Sequence, residues 1–183
     1  MLLLILGVLL WALSHVFKRV APARRAAMGD PGKGAVALGI AAGLVLMILG
    51  YRMAGTVFVW APPAFLTHLN NLLMLIAVFL FALSQSKGAL KAKIGLRHPQ
   101  LLSVCTWAVA HLMVNGDLAS LILFGGLLAW ALVEMALINR AESWTRPTPG
   151  PWARDAITIG ATLVAFFVIT LIHGWIGPSP FSA

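Results

Sequence analysis

Charge is scarce in this sequence, and acidic charge scarcest of all. Only 10% of the 183 residues are charged, with five carboxylates among them, while 61% are hydrophobic. With Leu, Ala, Val and Ile spread along the whole length, too little polar surface remains to cover a water-soluble globule. One cysteine, Cys105, excludes an internal disulfide framework. It lies in an apolar run and reads as a buried structural thiol. The N-terminus has no basic stretch ahead of its first apolar run; Lys18, Arg19, Arg24 and Arg25 follow it instead. That order marks an uncleaved first helix and not a secretory signal. A Ser-His-Asp set, a phosphate-binding glycine loop and Cys/His zinc spacing are all missing.

The net charge of +8 could suggest nucleic acid as a partner. However, the Lys and Arg residues sit in short tracts between apolar runs and not along a phosphate-facing surface, so that class is excluded. The partner that fits is the lipid bilayer.

Six apolar stretches approach the ~20 residues that a spanning helix needs. They are Leu2–Phe17, Ala35–Tyr51, Phe65–Ser84, Leu101–Val114, Leu118–Ile138 and Ala156–Ile176. The fourth reaches spanning length only if it starts near His98, where Pro99 suits a first helical turn. With six crossings, twelve of the thirteen basic residues fall in the first, third and fifth loops, and only Arg52 falls opposite. The positive-inside rule then places both termini outside, in the periplasm of a bacterial inner membrane. The expected architecture is a single all-α domain over residues 1–183, a bundle of six transmembrane helices.

Smaller signals agree. Trp60 and Trp175 fall at outer boundaries and Trp144 and Trp152 at inner ones, where indole rings favour the headgroup region. Ala35, Gly39 and Gly43 repeat every four residues and present a small face for close helix packing. The Pro- and Gly-rich stretch Thr145–Trp152 reads as an ordered inner loop.

Ionisable groups inside a bilayer are costly, so the five histidines are the main candidates for chemistry. His15 and His98 lie near the inner face; His68, His111 and His173 form an outer layer with Asn71, Asn115 and Asp117 close by. Helical spacing puts Asn71 on the face of His68, and Asn115 on that of His111. Neutral imidazoles can ligate haem iron or another metal, or each can simply hydrogen-bond a neighbouring helix. Asn115-Gly116-Asp117 reads as a tight turn with Asp117 capping the fifth span. Glu134, near the inner end of that span, is expected to pair with Arg97, Arg140 or His15.

Arg97-His98-Pro99-Gln100, then Trp107-Ala108-Val109-Ala110-His111, then Asn115-Gly116-Asp117-Leu118-Ala119-Ser120 closely resemble the NnrU family. Leu123-Phe124-Gly125-Gly126, Trp130 and Ser14-His15 continue the likeness, which covers essentially the whole chain. The resemblance implies an inner-membrane protein linked to nitric oxide metabolism and denitrification, with nitric oxide reductase or its assembly factors as partners. A more distant similarity to the plastid ζ-carotene isomerases implies haem b, with His15 and His111 as iron ligands. It also offers an alternative activity, cis–trans isomerisation of a lipid-soluble polyene. Where those enzymes have an alternative cysteine ligand this chain has Ala108, so no Cys/His ligand exchange is open to it. The topology strains the implied pair: His15 near the inner face and His111 near the outer are up to ~20 Å apart in depth. His68 and His173 are the outer-layer substitutes, with Ala108 and Asn115 as lining residues.

Overall fold

The computed structural model describes residues 1–181 and contains eight helices among them. In chain order they are α1 (Leu2–Val20), α2 (Pro22–Ala27), α3 (Pro31–Arg52), α4 (Leu66–Gln85), α5 (Ala89–Ile94), α6 (Pro99–Val114), α7 (Leu118–Ala141) and α8 (Ala153–Ile176). Proline opens α2, α3 and α6, where its missing N–H removes no helical hydrogen bond. Because Pro31 starts α3, that helix begins four residues before the apolar run at Ala35 and carries Lys33 in its first turn. The short helices α2 and α5 hold four of the basic residues that read as loops, Arg24, Arg25, Lys91 and Lys93.

Five helices, α1, α3, α4, α7 and α8, are long and apolar enough to cross a membrane. The sixth apolar helix, α6, has 16 residues even with Pro99 included. At 1.5 Å per residue it spans about 24 Å against a hydrocarbon core of about 30 Å.

The helices are arranged inside out relative to a water-soluble bundle. Leu2, Leu38, Ile157 and Val164 are at least 65% exposed, whereas Ser120, Thr162, Asp155 and Glu134 are buried. Such an apolar exterior is stable only in an apolar solvent. The buried threonines of α8 find acceptors in their own helix: Thr158 donates to the carbonyl of Arg154 at 2.8 Å, and Thr162 to that of Thr158 at 2.8 Å.

The chain forms two compact units, each drawn from two segments. The first comprises Met1–Ala61 with Asn115–Glu142, the second Pro62–Val114 with the chain from Ser143 onward. In the first unit α1 packs against both α3 and α7, most extensively against α3. Glycines allow that contact. A Cβ on Gly43 would stand 2.8 Å from the backbone nitrogen of Trp11 and 3.1 Å from the carbonyl of Gly7. The small face therefore does run through Gly39 and Gly43, and it continues to Gly50, which is pressed against Leu4. Residues 57–60 lie extended beside the start of α7: Leu118 donates to the Val57 carbonyl at 2.9 Å and Val59 to that of Gly116 at 2.7 Å. The tight turn expected at Asn115–Asp117 does not form. Gly116 is needed there because the carbonyl of Trp60 occupies the space of a Cβ.

In the second unit α4 packs against α6 and α8, and α5 touches both α4 and α8. Buried Asp155 accepts from the backbone N–H groups of Ala89 at 3.0 Å and Leu90 at 3.1 Å, capping α5 from across the unit. Gly95 ends α5 in the left-handed region at φ 68°, which glycine adopts without penalty. The stretch Thr145–Trp152 has no regular secondary structure up to a turn at Trp152, and Gly150 packs onto the carbonyl of Lys87.

The glycine contact yields a direct test. Gly43→Ala forces α1 and α3 apart and is expected to lower stability by about 1–3 kcal/mol. Equilibrium unfolding in detergent measures it, and Gly34→Ala, where a Cβ meets nothing within 4 Å, is the control.

Candidate functional site

Two clusters of functional side chains form, one in each unit. In the first unit, Trp11, His15 and Arg19 follow one another at four-residue steps along α1, and Trp130 and Glu134 do the same on α7. The His15 ring lies 4.4 Å from Trp11 and 4.7 Å from Trp130, and the two indoles meet edge-on at 5.7 Å. His15 Nδ1 stands 2.9 Å from the carbonyl of Trp11. A carbonyl oxygen only accepts, so Nδ1 carries the proton and Nε2 of the neutral ring holds the lone pair.

Below this stack, Arg19 Nε is 3.9 Å from Glu134, and the same guanidinium pairs with Glu142. Glu134 thus pairs with Arg19 and not with Arg97, Arg140 or His15, the partners expected of it, although Arg19 lies only one turn after His15 on the first helix. The α1–α7 packing brings residues 115 positions apart together, a relation that spacing along the sequence does not carry. Trp11 Nε1, Trp130 Nε1, Arg19 Nε and Glu134 Oε2 are buried with no hydrogen-bond partner among the described residues. Such groups can bind a polar ligand, since each is costly when left unmet.

At the other end of the unit a hydrogen-bonded chain leads to the start of α7. Asp117 accepts from the Ser120 N–H at 3.0 Å and from its hydroxyl at 2.6 Å. With that proton committed, the Tyr51 hydroxyl donates to Ser120 Oγ at 2.8 Å. Asp117 is therefore the helix cap expected of it.

In the second unit the cluster is built from the ends of α6 and α8. His111 Nδ1 stands 3.0 Å from the carbonyl of Trp107, with the two rings 5.2 Å apart. His173, near the end of α8, lies with its ring 6.5 Å from that of His111. Its Nδ1 donates to the carbonyl of Pro178 at 2.8 Å. The structure thus pairs His111 with His173; His15 belongs to the other unit.

The remaining candidates are dispersed. His68 is exposed near the start of α4, and His98 is half-buried just ahead of α6. Ala108 is fully buried. Because α6 ends at Val114, Asn115 lies beyond it and does not continue the helix face that carries His111. Asn71 donates to the carbonyl of Pro180 at 2.9 Å, and Cys105 is half-buried with a free thiol.

One signal went unread in the sequence. Trp11-Ala12-x-x-His15 and Trp107-Ala108-x-x-His111 are the same pattern, and Trp130-Ala131-x-x-Glu134 repeats it with a carboxylate. In both histidine copies the tryptophan supplies the carbonyl that fixes the imidazole and a ring beside it. The alanine keeps the backbone accessible to neighbours; Ala108 and Ala131 are completely buried.

A cavity of about 250 Å³ lies between α4 and α8, lined by Leu75, Ile76, Phe79, Ile159, Thr162 and Leu163. It is smaller than the ~300–1,000 Å³ typical of ligand pockets, and no histidine lines it.

An apolar exterior on five membrane-length helices, with buried polar clusters inside, defines a multi-pass helical membrane protein. The chain belongs to the NnrU family: the family model described as NnrU protein matches residues 3–180. No curated protein and no solved structure matches it.

The cap offers a second test. Asp117→Ala is expected to cost about 0.5–2 kcal/mol, and Asp117→Asn, which keeps an acceptor, less. Unfolding in detergent reads the difference. Loss of function in a stably folded Asp117→Ala protein would instead place Asp117 in a binding site.

Proposed function

We propose that this chain is a six-span protein of the bacterial inner membrane that binds haem b in support of nitric oxide metabolism and denitrification. His111 is an iron ligand, both termini are periplasmic, and the partner is nitric oxide reductase or a factor in its assembly. Membership of the NnrU family supports the physiological setting. The charge alternation of the loops supports the topology.

The observation that carries the haem reading is the anchoring of His111. Its Nδ1 proton is given to the Trp107 carbonyl at 3.0 Å, which sets the tautomer and orientation in which Nε2 can meet a metal. Metal-ligating histidines almost always hold their other ring nitrogen on such a partner. His15 has the same anchor, so both histidines implied by the resemblance have the ligand tautomer. Bound haem supplies a redox-active iron. The chain supplies few titratable groups of its own, which favours redox or assembly support over acid–base catalysis.

The purified protein is expected to show a Soret band with redox-sensitive α and β bands. His111→Ala should abolish it, whereas His98→Ala, at the start of α6, should leave most of it. A wild-type protein that takes up no haem when haem is supplied overturns the reading.

Reporter fusions test the topology. Fusions after Gly88 and within Thr145–Trp152 are expected to report the cytoplasm, and fusions near Pro62 and at the C-terminus the periplasm. A cytoplasmic C-terminus would rule out six spans.

A further inference from the structure

We propose that the cavity between α4 and α8 is a binding site for an anionic phospholipid, with one acyl chain in the cavity and the phosphate at Lys87 and Arg154. The site lies wholly in the second unit and is independent of the haem reading. Three observations carry it: room, depth and charge.

The room is visible in the structure. The cavity of about 250 Å³ is bounded by Leu75, Ile76 and Phe79 on α4 and by Ile159, Thr162 and Leu163 on α8, one face of each helix. Its single hydroxyl is spent, because Thr162 donates to the carbonyl of Thr158 at 2.8 Å. The wall is therefore apolar throughout. Ile76, Ile159 and Leu163 are exposed, so the cavity opens sideways from the helix pair. In a bilayer that opening faces hydrocarbon, and the narrow apolar molecule at hand is a lipid chain. Atoms that line an empty gap forfeit dispersion contacts, which a chain restores.

The depth suits one leaflet. Trp152 stands seven residues before Ile159, two turns down the same face, and is 79% exposed. Indole rings favour the headgroup level. At 1.5 Å per residue the cavity lies about 10–16 Å beyond Trp152, and half of the hydrocarbon core is about 15 Å. With Trp152 among the headgroups, the cavity falls in the chain region of a single leaflet, the cytoplasmic one in the topology proposed above.

The charge at the inner end selects the headgroup. Lys87 and Arg154 are both exposed, and they flank one point: a Cβ on Gly88 would strike the carboxylate of Asp155, the residue after Arg154. Asp155 is buried and spends that carboxylate on the N–H groups of Ala89 and Leu90 at 3.0 and 3.1 Å. Among the described residues no carboxylate pairs with Lys87 or Arg154. Lys91, by contrast, is committed to the Ser84 carbonyl at 2.6 Å. Two uncommitted cations at the headgroup end of an apolar cavity complement a lipid of net negative charge, whereas a zwitterionic lipid brings a cation of its own to the same place.

The experiment measures lipid binding by the full chain, delipidated in a non-ionic detergent, through native mass spectrometry and the thermal unfolding midpoint. Phosphatidylglycerol is expected to be retained as a one-to-one adduct and to raise the midpoint. Phosphatidylcholine with the same chains should bind roughly tenfold more weakly. Lys87→Gln combined with Arg154→Gln, both at exposed positions, should remove that preference and leave phosphatidylcholine binding as it was. Ile159→Trp, which fills the cavity, should abolish the adduct with either lipid, and glycerophosphoglycerol, the headgroup without chains, should give none. The proposal is overturned if the wild type retains no phosphatidylglycerol or if the doubly neutralised protein keeps its preference. Unchanged binding by Ile159→Trp, or stabilisation by the chainless headgroup equal to that by whole lipid, overturns it as well. None of these outcomes bears on the haem reading.

Discussion

A polar group carried into hydrocarbon has no water to turn to, so its partner must come from the protein itself. That constraint shapes nearly every polar contact in this chain. The threonines of α8 spend their hydroxyls on carbonyls of their own helix. Ser103 reaches across to the carbonyl of Ala77 at 2.7 Å and ties α6 to α4. Tyr51, Ser120 and Asp117 form one donor–acceptor sequence ending on a helix N-terminus. Histidine fits the same rule with one difference. Its two nitrogens are distinct, and satisfying one with a backbone carbonyl leaves the other as a Lewis base in a neutral ring. A side chain that has met the bilayer's demand on one edge is thereby prepared for a metal on the other.

In the first unit the same constraint acts on charge. Arg19 and Glu134 would each be expensive alone at the α1–α7 contact. Together with Glu142 they share a guanidinium near the end of α1 that carries the basic residues. The pair depends on α1 keeping its register against α7, and α1 is held by α3 through glycine contacts. A change at Gly43 therefore acts on the Trp11–His15–Trp130 stack as well, because the backbone of Trp11 is what a Cβ there would strike.

Much of the fold was legible because hydropathy reports directly on a lipid solvent. The long apolar runs became helices within a few residues of their read boundaries, and Asp117 became a cap because its chemistry and its position before an apolar run leave little else. The failures have a common physical cause. Gly116 was read from local turn statistics, yet its smallness serves an approach by Trp60, a contact set by tertiary structure. Glu134 was assigned to Arg97, Arg140 or His15, yet its partner is Arg19, one turn beyond His15 on α1 and fixed only by the α1–α7 packing. Asp155 gave no signal at all, since the helix it caps, α5, belongs to a different stretch of sequence. Local patterns carry periodicity and capping, whereas partners across helices require the packing itself.

The histidines fall between these cases. The i−4 carbonyl that orients His15 and His111 is a local feature, written as Trp-Ala about one turn ahead in the same helix, and it could have been read from the repeated pattern. The clamp on His173 is local in part: Pro178 follows it by five residues, but the hold of Asn71 on Pro180 closes a span of 109 residues. Orientation of a ring is thus encoded nearby, and proximity of two rings is encoded by packing. Depth arguments bridge the two. Helices that run in opposite directions through a bilayer bring the end of one level with the start of the next, whereas α6 and α8 run in the same sense under the six-span reading and so present their ends together. Residues equally close to the ends of such helices, as His111 and His173 are, meet at one level without either helix having to bend.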